Sequence, residues 1–419
     1  METSYQTPHL ETEIPGPKAQ AILAKDGLFV SPSYTRDFPL VVERGRGCWV
    51  EDVDGNTFLD MASGIAVCAT GHCHPAILQA IKEQSEKLIH MSGTDFYYPV
   101  QSHLAERLSQ KLPGAGGGKV FFSNSGAEAV ECALKLARHR TRRPYLISFF
   151  GAFHGRTMGA LSLTASKTVQ KEGFAPLVPG IHHATYGDLA SVEQLIAHVI
   201  PENELAGIVV EAVQGEGGYR VAPPGFLQGL REICDRSGAL LICDEVQSGM
   251  GRTGRFFAFE EEGILPDIVT MAKGIASGLP LGACLAQPGI MEWPAGSHAS
   301  TFGGNPVACA ASLATLDLLD EGLMQNAAEM GRHLRSLLQE ACQAQPGVVD
   351  VRGRGLMQAV EVDTAEHRNA IVQTCFEKGL VILGCGAKSV RFCPALVVDH
   401  SELECAVRLF AEALAVVMR

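Results

Sequence analysis

Pro266-Asp267-Ile268-Val269-Thr270-Met271-Ala272-Lys273-Gly274 runs a short, β-branched apolar segment straight into one lysine and a glycine. A lysine held at the end of a buried strand is desolvated, which lowers its pKa and frees its amine to form a Schiff base with an aldehyde. Taken alone, Ala-Lys-Gly after a strand reads as a solvated loop. A second apolar run changes that balance: Ala239 to Cys243 closes on Asp244-Glu245-Val246-Gln247, at a distance that allows one crossover between parallel strands. A third, Gly207 to Val210, ends on Glu211-Ala212-Val213-Gln214-Gly215-Glu216-Gly217. Three successive strands thus deliver polar groups at their carboxyl ends, where open α/β sheets bind ligands.

The chain around this centre is that of a soluble globular protein. Its 419 residues, 46% hydrophobic and 19% charged, suffice for a large core and more than one domain. A formal charge of −12 argues against nucleic acid or an anionic membrane as the main partner. No basic start with an apolar core opens the sequence, and no run approaches membrane-span length, so a cytoplasmic location is expected. The 13 cysteines form no C-x-x-C pair and read as reduced thiols. Gly71-His72-Cys73-His74-Pro75 has metal-ligating residue types, but no second cluster completes a site, and a turn is the better reading.

Residues 1–14 are polar and expected to be poorly ordered, with Pro15-Gly16-Pro17 marking entry into the folded chain. Strands around an Asp54-Gly55 hairpin signal follow. From Pro75 onward helices and strands alternate, which predicts a doubly wound, mostly parallel sheet. In it, the strand Lys119 to Phe122 turns through Ser123-Asn124-Ser125-Gly126-Ala127 into a helix with Val130, Ala133, Leu134 and Ala137 on one face. Such a small-residue turn exposes backbone N–H groups to an anion, although an ordinary helix cap looks the same. After Tyr145 to Phe149 comes Gly151-Ala152-Phe153-His154-Gly155-Arg156, where Phe153 can stack on a flat ring or pack in the core. From about residue 325 a smaller α+β unit is predicted, closed by a helix whose capping box begins at Ser401.

The wording from Asp244 to Gly254 and in Ala-Lys-Gly-Ile-Ala-Ser-Gly-Leu-Pro-Leu-Gly, from Ala272 onward, resembles the class III aminotransferases, which are pyridoxal-phosphate enzymes of fold type I. The resemblance spans the chain from about Pro15 to near its end. It implies a large domain with a mostly parallel doubly wound sheet (residues 71–324) and a smaller α+β domain built from residues 15–70 and 325–419. It also implies pyridoxal 5′-phosphate on Lys273, with Asp244 keeping the pyridine nitrogen protonated. In the family the positions matching Ser125, Gly126 and Ala127 hold the phosphate, Phe153 covers the ring, and Val246, Gln247 and Glu211 line the cofactor. Thr301 matches a threonine that reaches the phosphate of a neighbouring subunit, which implies a homodimer or larger oligomer with shared sites. Arg156 matches an arginine of the substrate cleft, and Arg391 the one that binds the α-carboxylate of 2-oxoglutarate. Glu216 matches the glutamate that masks this arginine when an ω-amine is bound. Ala212 and Ala395 stand where the family often has proline.

The resemblance points first to amino transfer from an ω-amino acid of the 4-aminobutyrate type to 2-oxoglutarate, in two half-reactions. Ile65 supports this, since ornithine δ-aminotransferases typically place tyrosine there. Acetylornithine aminotransferases have similar wording at that point and stand as the alternative, as does a racemase or epimerase using the same lysine. A non-enzyme on an inherited scaffold is disfavoured by the joint presence of Lys273, Asp244, the phosphate turn and both arginines.

Overall fold

The strands that end before Glu211, on Asp244 and before Lys273 lie side by side in the computed structural model, which describes residues 5–114, 118–343 and 345–418. Leu240–Asp244 is central, pairing in parallel with Leu205–Val210 on one side and Ile268–Met271 on the other. Beyond Leu205–Val210 come Tyr145–Phe149 and Ile181–Ala184, also parallel. Beyond Ile268–Met271 lies Gly282–Ala286, which runs antiparallel to both of its neighbours, the outer one being Lys119–Ser123. Six of the seven strands therefore point the same way, and their carboxyl ends share one edge. Apart from half-buried Leu240, every residue of the three central strands is buried, as the unbroken apolar runs require for a sheet covered on both faces. The fold is the α/β, mostly parallel doubly wound architecture expected.

Against one face packs the helix Gly126–Thr141, which buries Ala129, Val130, Ala133, Leu134 and Ala137. Its N-cap is Ser125, whose hydroxyl accepts a hydrogen bond from the Glu128 N–H. Arg138, His139 and Arg140 occupy the last turn, where the helix dipole favours cations.

Two smaller sheets join the two ends of the chain. Val42–Arg46, Trp49–Asp52 and Thr57–Asp60 form the antiparallel set, and Leu380–Val381 adds to it in parallel beside Thr57–Asp60. Val348–Arg354, Met357–Val362, Ser389–Phe392 and Leu383–Cys385 form the other. The apolar run Gly379 to Leu383, which reads as one strand, is split: the chain leaves one sheet after Val381 and enters the other at Leu383. Arg252, 2% exposed, ties the loop after Asp244 to this region by donating to the carbonyls of Leu356 and Pro394.

Two expectations are corrected. The N-terminal segment is tied down from Tyr5 onward: Tyr5 packs on Trp49, His9 bridges Thr57, and the Asn56 side-chain oxygen accepts from the backbone of Glu11 and Thr12. Asn56 is fully buried, and its side-chain oxygen would lose both of these partners without that segment. Residues 1–4 lie outside the described residues. The last helix, His400–Val417, is capped by Asp399 and not Ser401, with Glu402 closing the box at the third position. Aspartate is as good a cap as serine, and its spacing to Glu402 is the one the motif needs. Among the described residues no helix is long and apolar enough to cross a membrane.

Candidate active site

Because the parallel strands share one edge, the polar groups at their ends converge there on a cavity of about 440 Å³. Its wall contains Ser125, Gly126, Ala127, Phe153, Arg156, Glu211, Asp244, Val246, Gln247 and Lys273, all residues singled out in the sequence. The first turn of the Gly126–Thr141 helix opens onto it, with amides that have no acceptor inside the helix. Gly126 is required there, since a Cβ would sit 2.7 Å from Val246 Cγ1. Gly155, at φ +139°, would likewise drive a Cβ to 2.7 Å from Ala127 Cβ.

Asp244 is 4% exposed. One oxygen accepts from the Val246 N–H at 3.0 Å, and the other lies 2.6 Å from Nδ1 of buried His154. Burial alone would keep His154 neutral, but the hydrogen bond and charge of Asp244 outweigh it and raise the imidazole's pKa. His154 therefore stands directly behind the carboxylate, whose position is fixed at both oxygens. Neighbouring Glu211, also buried, goes the other way: desolvation and the charge of Asp244 push its pKa up to about 7, against the opposing pull of His154 and of the Gly215 and Phe153 N–H groups.

Lys273 follows its strand in a left-handed conformation, φ +46°. Burial lowers its pKa below the ordinary lysine value. Arg391 adds to that effect, while Asp244, Glu216 and Glu211 oppose it. Arg391, with a side chain 5% exposed, forms an ion pair with Glu216 at 2.7 Å, and the other oxygen of Glu216 lies 3.4 Å from Lys167 Nζ. Burial would raise the Glu216 pKa, but Arg391 and Lys167 together lower it. Arg391 and Glu216 stand beside the cavity and not on its wall, close enough for their charges to act on Lys273.

Ile65 and Thr301 are not on that wall within the chain. Ile65 is 43% exposed and sits in an unusual turn in which Ser63, Gly64, Ile65 and Ala66 are all left-handed, at φ 44°, 64°, 66° and 60°. Each non-glycine residue there costs about 1–2 kcal/mol. Asp60 supports the turn by accepting from the N–H groups of Ala62 and Ser63, and Ser63 Oγ donates to the Cys393 carbonyl at 2.6 Å. The turn leads into Val67, which is on the cavity wall. Thr301 is exposed on its loop. Arg156 stacks its guanidinium 5.1 Å from the Phe153 ring centroid.

Sequence reasoning passed over His154, Lys167 and the Asp60–His72 pair. His154 lies within the quoted Phe-His-Gly-Arg stretch, so its proximity to the candidate residues was a usable signal; Lys167 and Asp60 gave none. His72, a possible metal ligand by residue type, instead pairs with Asp60 at 2.8 Å, and His74 caps the helix that begins at Pro75.

The residues present fit pyridoxal phosphate. A helix N-terminus suits its phosphate, Phe153 offers an aromatic face, Asp244 a fixed carboxylate, and Lys273 an amine of lowered pKa. Gln247 Oε1 is buried without a partner among the described residues, an acceptor waiting for a hydroxyl or N–H.

This combination of fold and site is that of a pyridoxal-phosphate-dependent enzyme. Residues 30–414 match the family Aminotransferase class-III. The chain is 47% identical over 384 residues to the acetylornithine aminotransferase of Methanopyrus kandleri, covering 91% of this chain and 96% of that one. It is 43% identical to the acetylornithine aminotransferase of Archaeoglobus fulgidus, covering 90% and 96%. The crystal structure of the ornithine aminotransferase from Toxoplasma gondii superposes with a TM-score of 0.89 at 31% identity, covering 95% of each chain. The chain belongs to the class III aminotransferases, with pyridoxal 5′-phosphate as its cofactor. When bound, the cofactor supplies an electron sink for the charge left when a proton leaves the substrate carbon.

Proposed function

We propose that this enzyme transfers the δ-amino group of N-acetylornithine to 2-oxoglutarate. What carries the choice of donor is the full-length similarity, at 39–47% identity, to relatives named acetylornithine aminotransferase. It favours that alternative over the 4-aminobutyrate reading. The Arg391–Glu216 pair supports a pocket that serves two substrates: Arg391 takes the α-carboxylate of the 2-oxo acid, and Glu216 neutralises Arg391 when the bound amine has no carboxylate to place there. Arg156, on the cavity wall, is available to a substrate carboxylate.

In this reading Lys273 holds the cofactor, is released when the amine donor binds, and moves the proton from the substrate carbon. Its lowered pKa leaves a larger fraction of the amine neutral and able to accept that proton. Asp244, backed by His154, keeps a positive charge favourable at the ring nitrogen. Ser125, Gly126 and Ala127 bind the phosphate, and Gln247 and Val246 position the ring. The active unit is a homodimer in which Thr301 completes the neighbour's site. The exposed apolar side chains Ile89, Phe96, Tyr97 and Phe302 support a covered face.

The test is to add N-acetylornithine, 4-aminobutyrate or ornithine to the cofactor-loaded enzyme with no 2-oxo acid present, and to follow the cofactor's visible absorption. Fastest conversion with N-acetylornithine is expected. Faster conversion with 4-aminobutyrate would reverse the choice of donor, and α-proton exchange on α-amino acids without amino transfer would establish racemisation.

A further inference from the structure

A gate made only of Arg391 and Glu216 leaves one state unaccounted for. When a substrate carboxylate occupies Arg391, Glu216 loses its partner and faces a like charge. Its side chain is only 17% exposed, so an unpaired carboxylate there is unfavourable. Yet Glu216 divides its two oxygens between two cations: Oε1 on Arg391 and Oε2 on Lys167.

We infer that Lys167 is the second post of this gate: it retains Glu216 when the α-carboxylate of the 2-oxo acid displaces it from Arg391, and so helps set the balance between acceptor and amine donor. The inference rests on the gate reading proposed above.

The two cations differ as such a role requires. Arg391 is buried on the strand Ser389–Phe392, which is paired on both sides, and is fixed in place. Lys167 stands in the loop after the helix Met158–Leu163, with a side chain 46% exposed and a flexible four-carbon stem. It can follow Glu216 outward, and because it is solvated its pull is weak enough to release Glu216 again. A second buried, rigid cation would trap the carboxylate away from Arg391, and no cation would lock it there. The Nε of Arg391 is buried with no partner among the described residues, which leaves a donor for the incoming carboxylate.

The experiment measures KM for 2-oxoglutarate and for the amine donor, and the Kd of glutarate, an unreactive dicarboxylate, by calorimetry. Lys167→Gln should raise KM for 2-oxoglutarate and the Kd of glutarate about two- to fivefold, with the donor KM unchanged. Lys167→Arg should restore both, and the defect should shrink at high salt because the lysine is exposed. In a Glu216→Gln background, Lys167→Gln should have no further effect. A Glu216→Gln enzyme whose acceptor-to-donor preference shifts, beside a Lys167→Gln enzyme that matches wild type, would overturn the role of Lys167 and leave the gate standing. An unshifted preference in Glu216→Gln would overturn the gate and the inference together. Weakened glutarate binding on Lys167→Gln that persists in the Glu216→Gln background would show direct contact between the lysine and substrate, and would also overturn it.

Discussion

His72→Gln should destabilise the protein in a way that disappears at high pH. Burial opposes a charge on His72, but the hydrogen bond and charge of Asp60, with Cys68, overturn this and push its pKa up from 6.5 to about 10. A group whose pKa is raised on folding adds stability that is fully present below its unfolded pKa and lost as pH rises through the folded one. The window therefore runs from pH 6.5 to about 10. At 1.36 kcal/mol per unit the shift corresponds to about 4–5 kcal/mol, and partial exposure of the imidazole reduces this to about 2–3 kcal/mol. Asp60 is also the carboxylate that accepts from the amides entering the left-handed turn Ser63–Ala66, so the pair's loss loosens the approach to Val67 and the cavity. Thermal unfolding of wild type and variant at matched scan rates, stepped across that window, should show the largest gap near pH 6.5 and a closing gap toward pH 10. A gap that stays constant with pH would refute the charged pair as its source.

Lys273→Ala should abolish turnover while leaving cofactor bound without the covalent link; near-normal turnover would remove the lysine from its assigned role. Asp244→Asn should fold and bind cofactor but lose about 100-fold or more of the proton-transfer rate, measured by loss of label from the substrate carbon; a rate within a fewfold of wild type would exclude it. Gly126→Ala should weaken cofactor affinity, because its Cβ meets Val246 at 2.7 Å, and adding Val246→Ala should recover part of the loss. Titration of the apo-protein with cofactor checks both, and an unchanged affinity in the single variant would show that the turn does not cradle the phosphate.

The strands that lead to Glu211, Asp244 and Lys273 were legible because each is a short apolar run followed by a charged residue, and parallel connectivity places such ends on one edge. The turn at residues 125–127 was legible as a helix start for a similar reason: small residues before a helical pattern leave N–H groups uncovered, and the structure places them on the cavity wall. Local rules of this kind depend on neighbours a few residues away. The cap of the last helix shows their limit, since Ser401 with Glu404 and Asp399 with Glu402 have the same capping-box spacing and the structure uses the second pair.

What the sequence by itself determined is the order of strands and helices, the residue types at their ends and the chemistry those types allow. Only the tertiary structure decided that His154 stands behind Asp244, that Lys167 shares Glu216 with Arg391, and that the apolar run at Gly379 to Leu383 divides between two sheets. Hydrophobic spacing reports which residues are buried. Which charges meet depends on how segments far apart in the chain are brought together, and Glu216 and Arg391, 175 residues apart, are paired by the packing of the whole fold.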